Sequence, residues 1–414
     1  MQRDLRIDLV RGAGVLMIAV DHLKGLLEMA SGGPVAFPFI TWTRLGWSSA
    51  AEFFVFFSGY LVGLIYTQTL RRQGFGLACA RAAHRSWQIY VANLLTLCAV
   101  LVLLHPAALA SASLVAATKL SSLEGAGAMT GWFTFLTLQT APAFFEILHL
   151  YIALLFVAPL LLLVARMNVL AALACSVAVW ACVQFNPSFN VASWNFNPFA
   201  WQLVFILGML CSVAQVFDRL AQAFGRRTLL LSTGAALGAA LLVKIVDKAG
   251  WPLPLIGQLD VTGIARTTVG PLLLLHFLAS VVFVMQIVPR SDSIGRSQFG
   301  QLIARVGQHS LECFCASTVL VYTAVGWMMQ SASTGPMWVF TIGLVILALV
   351  CWWAMFVNWI KAQPWRRAPV PRESARAAQE ADQRADMGSI QKKSRAAPMA
   401  PAPDNAPVTT PDTP

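Results

Sequence analysis

An all-α bundle of about ten membrane-spanning helices, with both termini in the cytoplasm, is the fold this sequence predicts. Three observations carry that reading. The 414-residue chain is 57% hydrophobic and only 11% charged, whereas soluble domains carry roughly 25% charged residues. Its mean hydropathy is +0.67, and apolar runs of span length recur along it. Its Lys and Arg fall on alternate loops, the signature that orients membrane helices.

A span needs about 20 mainly apolar residues. Ten segments qualify: 9–29, 49–67, 87–105, 146–165, 169–184, 200–217, 228–246, 270–288, 310–329 and 337–359. The fifth is the shortest and weakest. The first is interrupted by Asp21, His22 and Lys24, with no small-residue cleavage site after it. It is therefore expected to be a retained span and not a cleaved signal. The segment 106–145 is mildly apolar and has the character of a re-entrant or interfacial stretch. The segment 184–199, QFNPSFNVASWNFNPF, is rich in Asn, Pro and aromatics. It suits either an interfacial aromatic belt or contact with a substrate. Residues 364–414 are Pro, Ala, Ser and charge. They cannot bury a core, so a membrane domain over 1–363 and a disordered cytoplasmic tail over 364–414 are expected.

Twenty-three of the 29 Lys and Arg lie in the N-terminus, the tail and the loops near 68–86, 166–168, 218–227 and 289–309. The other six are Lys24, Arg44, Lys119, Lys244, Lys248 and Arg266. Both termini thus belong on the positive, cytoplasmic side, and an even span count preserves the bias. The net charge of +11 is spread as topology control and does not predict a nucleic-acid partner. Most of the eight cysteines sit in apolar runs, where cysteine is a small buried hydrophobe. Cys313 and Cys315 are too close together for a zinc site and have no second pair to complete one, so no metal is expected.

The first span carries the chemistry. A helix turns about 100° per residue. Arg11 is eleven steps from His22, Asp8 fourteen and Asp4 eighteen, so all four share one face to within roughly 40°. Asp21 points about 100° away. Ionisable groups in a membrane line a bundle interior or a wet cavity. With Arg11 near the cytoplasmic interface, His22 lies about 16 Å further along, near mid-membrane. Taken singly, His22 reads equally well as a structural histidine, and Arg11 as an anchor that snorkels to the interface. Their shared face favours a reaction site. Glu52, in AAEFFVFFSGY, sits just inside the second span. There a carboxylate costs several kcal/mol unless paired or protonated. Ser58 and Gly59 beside it suit close helix packing.

Arg11, ten intervening residues and His22 match the R/K-x10-H signature of the membrane acyltransferase-3 superfamily. More closely, RDLRIDLVRG, the Asp21-His22 pair, AAEFFVFFSGY, NFNPFAWQLVFILG and GQHSLECFC resemble the OpgC family, over residues 3 to about 330. That family is named for succinylation of osmoregulated periplasmic glucans. The chain departs from the family pattern at His149, in EILHLYIALL, and in its tail. The resemblance implies a multi-pass protein of the bacterial inner membrane. It also implies an O-acyltransferase that moves an acyl group, succinyl favoured, from cytoplasmic acyl-CoA to a hydroxyl of a periplasmic glucan or other envelope glycan. Acyl-CoA is then a co-substrate, with no cofactor bound permanently, and the partners are membrane lipid and a glycan.

On that basis His22 is the expected general base, since an imidazole exchanges protons near neutral pH. Asp21 or Glu52 would orient it, and Glu52, on another helix, is the better placed. Arg11, Arg81 and Arg85, with Arg71 and Arg72 nearby, suit the phosphates of coenzyme A. Arg81 and Arg85, four apart, share a helix face. Trp194, Asn195, Asn197, Trp201, His149 and Tyr151 suit a sugar, by stacking and hydrogen bonds. Arg266 or Lys24 could meet a succinyl carboxylate. His309 and Glu312 read as a helix start, with Ser310 as its cap, and His276 as a satisfied interhelical histidine. The rival class is a transporter or flippase using the same stripe as a proton relay. The nearer rival is an acetyltransferase with another envelope acceptor.

Overall fold

The structure is a computed structural model. It describes residues 4–104, 112–123, 127–189, 191, 194–249, 265–288 and 291–363. The expected tail over 364–414 lies outside the described residues. Contacts divide the chain into Met1–Trp359 and Ile360–Pro414, and the membrane helices belong to the first unit.

Among the described residues every regular element is a helix. The principal ones are α1 (Leu5–Ser31), α2 (Ala50–Gln73), α3 (Phe75–Leu104), α4 (Glu146–Met167), α5 (Val169–Phe185) and α6 (Pro198–Val213). Then come α7 (Val216–Phe224), α8 (Arg226–Lys248), α9 (Pro271–Ile287), α10 (Gln298–Gln308), α11 (Ser310–Gln330) and α12 (Pro336–Ala362). Nine of the ten apolar segments fall each on one of these helices, and 200–217 runs from α6 across a bend into α7. Six described helices, α2, α3, α4, α8, α11 and α12, are long and apolar enough to cross a membrane. A seventh span arises if α6 and α7, bent by 70° at their junction, are one. α1 has the length, 27 residues, but carries the ionisable stripe. α5 and α9, at 17 residues each, are short for a bilayer. Short helices at Ala112–Ala117 and Ala128–Leu136 occupy the mildly apolar segment before α4.

Caps set the helix starts. Asp4 accepts from the backbone N–H of Arg6 at 3.0 Å, its guanidinium at 2.8 Å and the Ser291 hydroxyl at 2.9 Å. Burial pushes the Asp4 carboxyl upward, but these bonds, Arg6 foremost, outweigh it and hold the group below the ordinary carboxylate value. α1 ends at Gly32, whose φ of 70° lets its N–H close on the Glu28 carbonyl. α2 opens with Ser49 and Glu52 capping each other reciprocally.

Two helix crossings are close enough to bring backbone onto backbone. α2 packs along α6, and α1 along α10. At the first crossing, a Cβ on Gly59 would run into the Phe205 carbonyl, and one on Gly208 into that of Phe56. At the second, Gly12 meets the Ile303 carbonyl and Gly307 that of Asp8. Small residues permit such contact, and in apolar surroundings packing is what associates helices. Gly59→Ala is therefore expected to destabilise the protein by about 1–3 kcal/mol, read as a lower unfolding midpoint in detergent. Gly238→Ala, on α8, meets nothing within 4 Å and should leave the midpoint unchanged or raise it.

Candidate functional site

The polar stripe of α1 faces the helices that follow residue 290. Asp4 takes the Ser291 hydroxyl, and buried Asp8 takes the Gln308 amide at 3.3 Å. Arg11 donates to the Ser310 hydroxyl at 2.6 Å and lies over the Phe54 ring at 5.8 Å. His22 meets the edge of Phe314, centroids 5.9 Å apart. The four residues that one helical face brings into line are thus matched by Ser291, Gln308, Ser310 and Phe314 in chain order. Arg11 is a half-buried residue that points at other helices of the bundle.

At its outer end the stripe opens on a cavity of about 200 Å³. His22 lines it together with Ile18, Ala51, Phe54, Phe144, Glu146, Ile147, Asn195, Phe196 and Phe314. Phe144 stacks face to face on the imidazole, with centroids 4.0 Å apart and planes 15° off parallel. Nδ1 is buried with no hydrogen-bond partner among the described residues, and the ring lines the cavity.

Phe144 reaches that position through an unusual backbone. Its φ is 69°, the left-handed region, which costs a bulky residue about 1–3 kcal/mol. Neighbouring groups fix the turn. The Tyr322 hydroxyl on α11 donates to the Ala143 carbonyl at 2.8 Å, and the Ala143 N–H donates to the Thr118 carbonyl at 3.1 Å.

The carboxylates expected to orient His22 are engaged elsewhere. Asp21 accepts from the Thr41 and Thr43 hydroxyls, both at 2.8 Å, and so holds the chain that follows α1. Glu52 is fully buried. One oxygen accepts from the Ser49 N–H at 2.7 Å and hydroxyl at 2.5 Å. The other faces the Arg266 guanidinium at 4.0 Å. Its place three residues after Ser49 makes it a helix cap first, and the expected contact with the imidazole is not made. Aromatic stacking orients the ring instead.

The carboxylate that does share the cavity with His22 is Glu146, in the first turn of α4. Both of its oxygens lie 2.6 Å from the Asn195 side-chain nitrogen, and Lys119 is 3.9 Å away. Sequence reasoning passed over Glu146, although a carboxylate opening an apolar run is the same signal that singled out Glu52.

Among the residues expected to bind a sugar, Asn195 lines the cavity. Trp194 is half-buried and packs near His149, centroids 6.3 Å apart. His149 is buried between Trp194 and Phe135. Tyr151 is buried against Phe54. Asn197 and Trp201 are fully buried, which corrects their expected role. Asn197 caps α6, accepting from the Phe199 N–H at 3.0 Å, and donates to the Phe189 carbonyl at 2.9 Å. Trp201 donates to the Arg266 carbonyl at 3.1 Å. Neither can stack on a ligand in this arrangement.

At the other end of the bundle Arg81 donates to Thr69 on α2 at 2.7 Å, and Arg85 to Gln88 at 3.1 Å. Arg71, Arg72 and Arg81 are exposed, and Arg85 is half-buried. Lys24 is paired with Glu28 at 2.6 Å. His276 is satisfied as expected, with the Ser48 hydroxyl 2.9 Å from Nδ1. Ser310 is the first residue of α11 and its hydroxyl receives Arg11, while His309 occupies the cap position without a side-chain cap bond. The expected Ser310 cap is thereby corrected. Glu312 lies in the first turn as expected.

The sequence matches the family model described as OpgC protein over residues 3–362. No curated protein and no solved structure matches it.

If Trp201 and Asn197 are framework residues, Trp201→Phe and Asn197→Ala each lower stability, by about 1 kcal/mol. Unfolding of the two variants in detergent measures this. Midpoints equal to that of the parent protein would return both residues to the list of ligand contacts.

Proposed function

The chain belongs to the OpgC family, and from that premise we propose that it is an integral membrane O-acyltransferase with His22 as its general base. It moves an acyl group from cytoplasmic acyl-CoA to a hydroxyl of a periplasmic glucan or related envelope glycan. The observation that carries this reading is the cavity that His22 lines together with Phe54, Phe144, Phe196 and Phe314. The other ionisable group in that wall, Glu146, is held by the Asn195 side chain at 2.6 Å.

In the proposed reaction the acceptor hydroxyl gives its proton to Nε2 as its oxygen attacks the thioester carbonyl. The carbon–sulfur bond then breaks, and the imidazolium returns the proton to the departing thiolate of coenzyme A. Stacked Phe144 keeps the ring in plane for both transfers. The apolar part of the wall strengthens each electrostatic contact made beside it. Arg11, one helical face below His22, and Arg81 and Arg85 at the start of α3 mark the donor's side, since guanidinium groups suit phosphate. The charge bias that puts the termini in the cytoplasm puts those arginines there as well.

Succinyl is the acyl group the family name favours. One observation favours acetyl as the second reading: no Lys or Arg lines the cavity among the described residues, so the free carboxylate of a succinyl group has no cation there to meet.

Two outcomes are expected. In a deletion strain, His22→Ala at wild-type protein levels should lower glycan acylation about 100-fold or more, measured by mass spectrometry, which also identifies the acyl group. Equal acylation would remove His22 as the base, and an altered amount of glycan with unaltered acylation would favour transport. With purified protein, Arg81→Ala combined with Arg85→Ala should raise the KM for acyl-CoA and leave that for the acceptor unchanged.

A further inference from the structure

We propose that Glu146 holds the acceptor: its carboxylate takes a hydrogen bond from one hydroxyl of an uncharged sugar ring while a neighbouring hydroxyl faces Nε2 of His22. This rests on the acyltransferase reading and assigns the acceptor side of the same cavity.

Four observations converge on it. Glu146 and His22 line one cavity, and Glu146 is the single carboxylate doing so among the described residues. The carboxylate is held in place, since both oxygens are 2.6 Å from the Asn195 amide nitrogen. Lys119 at 3.9 Å balances its charge from the exposed side. An ionised carboxylate offers about four acceptor positions, and Asn195 fills two at most, so capacity remains for a hydroxyl donor.

Besides His22 and Asn195 the rest of the wall is apolar, with Phe54, Phe144, Phe196 and Phe314 its aromatic members. A sugar ring has the matching character, with apolar C–H faces and a rim of hydroxyl donors. A volume of about 200 Å³ admits one such ring. An anionic ligand would meet the Glu146 charge unfavourably, which selects a neutral polyol. Glu146 also opens α4, the end of that helix that the charge bias assigns to the non-cytoplasmic side. The glycan arrives from that side.

The test uses the full-length protein in detergent with acyl-CoA and a short neutral glucose oligosaccharide. Glu146→Gln, which keeps the shape and loses the charge, should raise the acceptor KM about ten-fold or more. The KM for acyl-CoA and the unfolding midpoint should not move, and Glu146→Asp should restore part of the loss. A purely structural Glu146 would instead lower the midpoint and depress transfer without separating the two KM values, and that result would overturn the proposal. Direct binding of the oligosaccharide, followed by tryptophan fluorescence, keeps the question apart from catalysis. If wild type binds the sugar and Glu146→Gln does so ten-fold more weakly, the acceptor role stands even where no acyl group is transferred. No binding by wild type, or equal binding by both, ends it.

Discussion

Charge on an apolar helix is the constraint from which this architecture follows. α1 carries Asp4, Asp8, Arg11 and His22 along one face, and none of them can be left against hydrocarbon. Each therefore needs a counterpart, and the counterparts come in sequence from Ser291, Gln308, Ser310 and Phe314. The chain beyond residue 290 is thereby brought against its own beginning. Gly12 and Gly307 let the two backbones touch where Asp8 and Arg11 find their partners. Register between α1 and the α10–α11 pair is fixed by polar matching, and the depth of the His22 ring is fixed with it.

The cavity depends on a second expenditure. Phe144 is held in a left-handed backbone conformation so that its ring covers the imidazole, and Tyr322 and Thr118 maintain that turn. In many hydrolytic sites a carboxylate orients the histidine. Here the aromatic plane does so, and the two carboxylates expected to orient the ring are assigned to other tasks. Asp21 restrains the segment after α1, and Glu52 caps α2 and meets Arg266. Stacking fixes the plane of a ring without fixing which nitrogen carries the proton. That freedom suits the role of base proposed for His22.

The helices and the stripe were legible because both depend on periodicity within one segment. Hydropathy marked ten segments that are all helical, and angular arithmetic placed Arg11 and His22 together. The partners were less legible because they come from elsewhere in the chain. Some errors had a readable remedy. Ser49 followed three residues later by Glu52 is a capping box, and Asn197 before Pro198 is a helix start. Both motifs were outranked by the expectation of chemistry. Trp201 lies among aromatics in an Asn-rich stretch, and only packing reveals that its ring is enclosed. Glu146 carried the same signal as Glu52, and only the tertiary structure puts it opposite His22.

The glycine crossings bear on how such a site can work. Where α2 meets α6 and α1 meets α10, main chain rests on main chain, with no side-chain layer to deform. These pairs behave as two stiff beams. Any change of shape around the cavity must therefore come from the connections and not from these pairs. Of those connections, the turn before α4 that carries Phe144 is itself restrained, by the Tyr322 and Thr118 bonds to Ala143.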